Sequence, residues 1–176
     1  MPNLEAYNTA ISAAYQSKHC WEIAQSLWNG MRATGVSPNV ATYNSFISAC
    51  QKNFQTEQGL SLFQEISDVG LRPNLGSFNA AIQSCARGSL WMESLSLFNK
   101  MYEDAVKQDA VSFGKVLQSL EEPGQWQHSF SLLEQMFEAD LTPNSQDVTC
   151  AIGACSTGAQ WVRAVWLLDE MRAEAL

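Results

Sequence analysis

One short pattern recurs five times along this chain at a spacing of about 35 residues. It reads Leu-Glu-Ala-Tyr-Asn from Leu4, Val-Ala-Thr-Tyr-Asn from Val40, Leu-Gly-Ser-Phe-Asn from Leu75, Ala-Val-Ser-Phe-Gly from Ala110 and Ser-Gln-Asp-Val-Thr from Ser145. A fixed period of this length marks a chain in which each repeat is one supersecondary unit. A single such unit cannot bury its own apolar face, whereas stacked neighbours share one quasi-linear core. The first interval is one residue longer than the others, and the extra residue falls between Gln16 and Trp21. An insertion is cheapest in a turn, so that stretch is expected to join two helices.

Each repeat carries two helical patterns. The first holds an aliphatic residue (Ile11, Ile47, Ile82, Leu117, Ile152), and three positions on a small or apolar one (Ala14, Cys50, Cys85, Leu120, Cys155). That spacing puts both on one helix face. The second opens at Trp21, Thr56, Trp91, Trp126 and Trp161, then passes small residues at Ala24, Gly59, Ser94, Ser129 and Ala164. Small side chains there are expected to let two helix backbones approach. Leu27, Leu62, Leu97, Leu132 and Leu167 follow, and four residues later Met31, Ile66, Met101, Met136 and Met171, predicting an apolar stripe. Trp28 shares its place with Phe63, Phe98, Leu133 and Leu168 and is expected in the core, as are the tryptophans that open the second helices. Pro38, Pro73 and Pro143 interrupt the chain between repeats, because proline cannot continue a helix. Gly35 and Gly70 precede two of these breaks as helix C-caps, while Ala105 and Asp140 hold the matching places without glycine. No strand pattern competes.

Composition narrows the function classes. The chain has 176 residues, 46% of them hydrophobic, enough for one domain over residues 1–176. No apolar run approaches a membrane span, and the opening Met1-Pro2-Asn3 has no character of a targeting peptide. The chain is therefore expected to be part of a longer protein or to have lost such a segment. Five cysteines without a Cys-x-x-Cys pair predict neither a disulfide framework nor a metal site. Cys50, Cys85 and Cys155 share one helical position and are expected to be buried, whereas Cys20 and Cys150 have no assigned part. His19 and His128 fall near turns with no partner pattern. The His-x-Glu of a zinc deaminase is absent, as are Gly-rich phosphate loops and catalytic triads. No enzyme, cofactor or small-molecule substrate is expected.

The first helices read Tyr-Asn-Thr-Ala-Ile-Ser-Ala from Tyr7 and Tyr-Asn-Ser-Phe-Ile-Ser-Ala-Cys from Tyr43, and repeats close as Gly-Val-Ser-Pro-Asn and Gly-Leu-Arg-Pro-Asn. In these features the chain resembles the pentatricopeptide repeat family over essentially its whole length. The tetratricopeptide repeat, the nearest alternative, puts its tryptophan in the first helix. The resemblance implies a right-handed α-solenoid of five helix–turn–helix repeats, at about 4–39, 40–74, 75–109, 110–144 and 145–176. It also implies sequence-selective binding of single-stranded RNA in a mitochondrion or chloroplast, about one base per repeat.

In that family two side chains read each base, a polar residue of the first helix and the last residue of the repeat. The matching pairs are Asn8 with Asn39, Asn44 with Asn74, Asn79 with Asp109, and Gly114 with Asn144, and Thr149 stands in the fifth repeat. An amide offers both donor and acceptor to a base edge. By the family's pattern the first three repeats lean towards pyrimidines, the third towards uracil; Gly114 leaves the fourth blind, and Thr149 suggests a purine. Of the positions that sandwich bases (Glu5, Ala41, Gly76, Val111, Gln146), only Val111 has a suitable side chain. Lys52 and Arg87 match the family's backbone-contacting basic position, where Gln16, Glu122 and Thr157 do not.

Net charge is −8, which opposes polyanion binding. Only Glu5, Asp109, Glu121, Glu122 and Asp147 of the 18 acidic residues fall on first helices or repeat-closing positions. Two basic contacts predict an affinity of roughly micromolar or weaker. The alternative is a protein-docking scaffold within a larger organellar assembly, its partners other protein subunits. Asn8, Asn44 and Asn79 would then bond helix ends or neighbouring backbone.

Overall fold

The computed structural model describes residues 3–14 and 20–174. Gln16 and His19 lie outside these residues, and the side chains of Ala14, Cys20, Trp21 and Met171 are likewise outside the described set. Ten α-helices follow one another among the described residues: α1 (Leu4–Ala14), α2 (Cys20–Ala33), α3 (Val40–Lys52), α4 (Thr56–Asp68), α5 (Leu75–Arg87), α6 (Trp91–Glu103), α7 (Ala110–Glu121), α8 (Trp126–Glu138), α9 (Ser145–Thr157) and α10 (Trp161–Glu174). The odd-numbered helices begin where the five repeats begin. No strand occurs among the described residues. The chain divides into two compact units, Met1–Ser84 and Cys85–Leu176, with the division inside α5.

The turns explain the period. After α2, α4, α6 and α8 the chain takes one residue in the left-handed region: Gly35 (φ 70°), Gly70 (φ 79°), Ala105 (φ 55°) and Asp140 (φ 57°). The N–H of the next residue (Val36, Leu71, Val106, Leu141) then returns to the carbonyl of Met31, Ile66, Met101 or Met136. This closes the helix end in the same way with or without glycine. The turns inside the repeats use the device again, at Phe54 (φ 56°), Ser89 (φ 56°), Gly124 (φ 66°) and Ala159 (φ 55°). There Gln55, Leu90, Gln125 and Gln160 return to Cys50, Cys85, Leu120 and Cys155.

In the first unit, Tyr43, Phe46, Ile47, Cys50, Phe63, Ile66, Phe78 and Ile82 are buried. Trp28 meets Tyr43 edge-on at 5.2 Å between ring centroids, and Phe63 meets Phe78 at 5.0 Å. Each is a contact between a second helix and the first helix of the next repeat. Gly59 earns its place by size: a Cβ there would stand 2.9 Å from Ser84 Oγ. In the second unit Phe98 meets Phe113 at 4.8 Å, and Leu117, Leu120, Met101, Met136 and Cys155 complete the core. Ser119 Oγ donates to Ser94 Oγ at 2.9 Å across the helix pair, again where the second helix carries a small residue.

Three sequence expectations need correction. Leu27, Leu62 and Leu97 are only half-buried, because the residue after each (Trp28, Phe63, Phe98) is the one turned into the core. Leu168, at the same place in the fifth repeat, is exposed, and so is Trp161 at 72%. Trp126, half-buried, packs as expected, under the Arg163 guanidinium at 3.9 Å from its ring centroid and edge-on to Phe130 at 6.4 Å.

Candidate nucleic-acid interface

The residues that close the repeats are helix N-caps. Asn39 Oδ1 accepts from the Thr42 N–H at 2.9 Å, Asn74 Oδ1 from Ser77 N–H at 3.0 Å, Asp109 Oδ1 from Ser112 N–H at 2.8 Å, and Asn144 Oδ1 from Asp147 N–H at 3.1 Å. The side chains of Thr42, Ser77, Ser112 and Asp147 accept in return from the backbone N–H of the cap, forming capping boxes. For the three asparagines this settles the amide's orientation. The carbonyl oxygen is taken up by the helix end, and Nδ2 is the atom each presents elsewhere.

The first-helix polar residues join the same framework. Thr42 Oγ lies 2.7 Å from Asn8 Oδ1 and 2.9 Å from Asn39 Oδ1, so one hydroxyl links both members of the first pair. In the second pair the link is direct, Asn44 Nδ2 donating to Asn74 Oδ1 at 3.2 Å. Gly76 lies beneath that bond; a Cβ there would stand 3.2 Å from both atoms. Asn44 Oδ1 is buried without a hydrogen-bond partner. Asn8 and Asn44 are half-buried, whereas Asn79 is 9% exposed.

In the fourth pair Gly114 faces Asp147. A Cβ on Gly114 would stand 2.6 Å from Asp147 Oδ1, so the carboxylate occupies the room a first-helix side chain would take. Asp147 is 2% exposed, and burial pushes its carboxyl above the ordinary carboxylate range against the pull of the Asn144 N–H. Its register is that of Thr42, Ser77 and Ser112. A hollow of about 330 Å³ opens here, lined by Val111, Gly114, Lys115, Asn144, Asp147 and Cys150 among others. Val111 is exposed on its rim, and burial lowers the Lys115 ammonium's pKa while Asp109 partly restores it. Thr149, exposed in α9, donates its hydroxyl to the Ser145 carbonyl at 2.6 Å.

Lys52 and Arg87 end α3 and α5 on the surface, where a cation also complements the helix dipole. Glu122, at the matching place after α7, accepts from the Ser89 hydroxyl. Asp147 lies outside the positions of the family's reading pairs. Its signal lay in the spacing of a cap residue and its partner three positions on, which reads Asn-x-x-Thr, Asn-x-x-Ser, Asp-x-x-Ser and then Asn-x-x-Asp.

Among the described residues no group of three or more His, Cys, Asp or Glu could hold a metal ion, and no helix is long and apolar enough to cross a membrane.

The profile of the PPR repeat family matches residues 2–52 and 38–87, and that of the PPR repeat matches residues 76–106. No curated protein matches the chain. Among solved structures, the pentatricopeptide repeat protein PPR10 from maize aligns over 100% of this chain and 25% of its own, at 22% identity and a TM-score of 0.76. The same protein in complex with an 18-nt psaJ RNA element aligns over 99% of this chain and 26% of its own, at 16% identity and a TM-score of 0.79. The PPR domain of Arabidopsis thaliana protein-only RNase P 1 in complex with tRNA covers 82% of this chain and 76% of its own, at 14% identity and a TM-score of 0.72. The chain spans about a quarter of the maize protein's length. These likenesses fix the fold as an all-α helical-repeat solenoid. Five helix pairs in register, joined by capped turns, and repeat profiles that run without a gap from residue 2 to residue 106 lead to one conclusion: the chain belongs to the pentatricopeptide repeat family.

Proposed function

We propose that this chain binds single-stranded RNA along the first helices of its repeats, about one base per repeat, in organellar RNA metabolism and without catalysis. The observation that carries the reading is the Asn44–Asn74 pair. Its two side chains hold each other in place, Asn74 keeps an Nδ2 donor beyond its cap bonds, and Asn44 Oδ1 is buried and unbonded. A buried acceptor without a partner costs about 1–3 kcal/mol, and a base that brings a donor to Asn44 Oδ1 relieves that cost. Asn8 and Asn39 repeat the arrangement through Thr42.

The donors and acceptors give the base preference a physical account. An Nδ2 donor at Asn39 or Asn74 suits the O2 carbonyl that cytosine and uracil share. A carboxylate at Asp109 suits the N3–H of uracil, since it accepts only. The first two repeats then take either pyrimidine, and the third, where Asn79 and Asp109 are the readers, takes uracil. Thr149 is the first-helix reader of the fifth repeat, where it favours a purine. Val111 supplies an apolar surface for a base, and Lys52 and Arg87 the positive charge for the phosphates. The neighbours solved with an RNA element and with tRNA support the class of ligand.

The test is fluorescence anisotropy with labelled single-stranded pyrimidine and purine oligonucleotides at low and moderate salt. Pyrimidine-preferring, salt-sensitive binding that weakens in Asn44→Ala and Asn79→Ala is the expected result. No binding even at low salt would sink this reading. The chain would then be a docking scaffold for protein subunits of an organellar assembly, a role the net charge of −8 and Glu122 suit better.

A further inference from the structure

The fourth repeat, where the first-helix reading residue is Gly114, carries a hollow and a buried carboxylate. About 330 Å³ lies within the range of clefts that hold small organic ligands, about 300–1,000 Å³. Asp147 enters it from the next repeat because Gly114 has no side chain. The capping role fixes the carboxylate: Oδ2 accepts from the Asn144 N–H at 2.9 Å, and Oδ1 lies 2.6 Å from the point a Gly114 Cβ would take. Beside it, Asn144 Oδ1 accepts from the N–H groups of Gln146 (2.8 Å) and Asp147 (3.1 Å), which leaves the Asn144 amide presenting Nδ2. The hollow therefore offers one amide donor next to two carboxylate acceptors, each carboxylate oxygen having two lone pairs.

We propose that this hollow is a guanine site, in which Asp147 replaces the missing first-helix side chain as the specificity-determining residue of the fourth repeat. The proposal rests on the RNA-binding reading above. Guanine presents a carbonyl, O6, beside two donors, N1–H and N2–H. Asn144 Nδ2 meets O6, and the Asp147 carboxylate meets both donors. Each other base fails at a definite atom. Adenine and cytosine set an amino group against the Asn144 donor and a ring nitrogen lone pair against the carboxylate. Uracil satisfies the first two contacts and sets its O2 against the second carboxylate oxygen. Val111 on the rim supplies apolar surface against the ring. The repeat thus reads guanine and rejects the other purine.

The experiment compares uridine tracts carrying a single guanosine, adenosine or cytidine at each position in turn, with the all-uridine tract as reference. It uses the full chain, Asp147→Ser (the residue type at Ser77 and Ser112) and Gly114→Asn, which fills the hollow with the amide of the other repeats. At one position guanosine is expected to bind at least about fivefold tighter than the other bases. Both variants should lose that advantage, and Gly114→Asn, which pairs a first-helix amide with Asn144 as in the first two repeats, should bind the all-uridine tract at least as tightly as the unsubstituted chain. If Asp147→Ser fails to fold, Asp147→Asn keeps an oxygen for the Asn144 N–H while replacing one acceptor with a donor, and it must also lose the guanosine advantage. Binding that is indifferent to guanosine, or a guanosine preference that survives these substitutions, overturns the guanine site alone. Failure to bind any tract overturns the RNA reading and this site with it.

Discussion

Asn44 Nδ2 donates to Asn74 Oδ1 at 3.2 Å, while that same oxygen accepts from the Ser77 N–H at 3.0 Å. One atom thus ties a helix cap to a first-helix side chain of the preceding repeat. Asn74→Asp keeps both bonds, since aspartate caps a helix as well as asparagine does and already does so at Asp109. It turns the outward donor into an acceptor. Preference at that repeat should move from either pyrimidine to uracil over cytosine, by on the order of 1–3 kcal/mol. Competition between oligonucleotides differing in that base measures the ratio, and an unchanged ratio would mean that Asn74 only caps α5.

Phe98 and Phe113 meet at 4.8 Å, edge to face, both almost fully buried. Because a helical-repeat chain is held by contacts between neighbouring repeats, this pair is a joint as well as a core contact. Phe98→Ala should cost about 3–5 kcal/mol. Phe98→Leu should cost far less, because Leu133 fills the matching place in the next repeat while remaining buried. Urea unfolding of both variants gives the comparison. Equal losses would show that ring geometry, not filled volume, sets the strength of the joint.

The period made most of this fold legible. Helix starts at Leu4, Val40, Leu75, Ala110 and Ser145 fall where the repeated segment starts, because cap residues and prolines punctuate the chain at the same interval. The apolar stripe was legible only to within one residue. Leu27 and Trp28 are adjacent and both apolar, and the sequence pattern does not say which of them the neighbouring repeat will cover. The paired asparagines could be named from the repeat, but their coupling could not. The bond from Asn44 to Asn74 spans 30 residues and depends on the close approach that Gly76 allows. A carboxylate three residues after an N-cap reads as ordinary capping in the sequence, and the approach of Asp147 to the space beside Gly114 depends on packing between repeats.

Ala105 and Asp140 hold the left-handed conformation that Gly35 and Gly70 hold in the earlier repeats. An L-residue there costs roughly 1–2 kcal/mol, partly offset by the extra freedom glycine has in the unfolded chain. Ala105→Gly should therefore raise stability by about 0.5–1 kcal/mol. Gly35→Ala should lower it by about as much, since no atom lies within 4 Å of a Cβ at Gly35 and no steric contact adds to the balance of strain and unfolded-chain freedom. Thermal or urea unfolding of the two variants should show opposite signs. A loss in Ala105→Gly would mean that the alanine methyl contributes more than the strain removes.

Burial pushes the Cys50 and Cys85 thiols up to about 12, with the Glu93 carboxylate adding to the effect at Cys85, and burial raises Cys150 to about 11. The thiolate is the nucleophile, so these cysteines should be inert to alkylation at mildly alkaline pH. In a Cys20→Ser background, iodoacetamide should label them only as fast as the chain opens, and urea should accelerate labelling in step with unfolding. The linkage has a definite sign. A folded-state value above the unfolded one means that the native chain holds the proton more tightly. This contribution to stability is fully present below pH 9 and is lost as pH rises from there towards 12. Urea midpoints should accordingly fall through that window, and Cys50→Ala with Cys85→Ala should flatten the fall. Rapid labelling of the native chain, or midpoints independent of pH in that range, would show that these thiols are open to solvent.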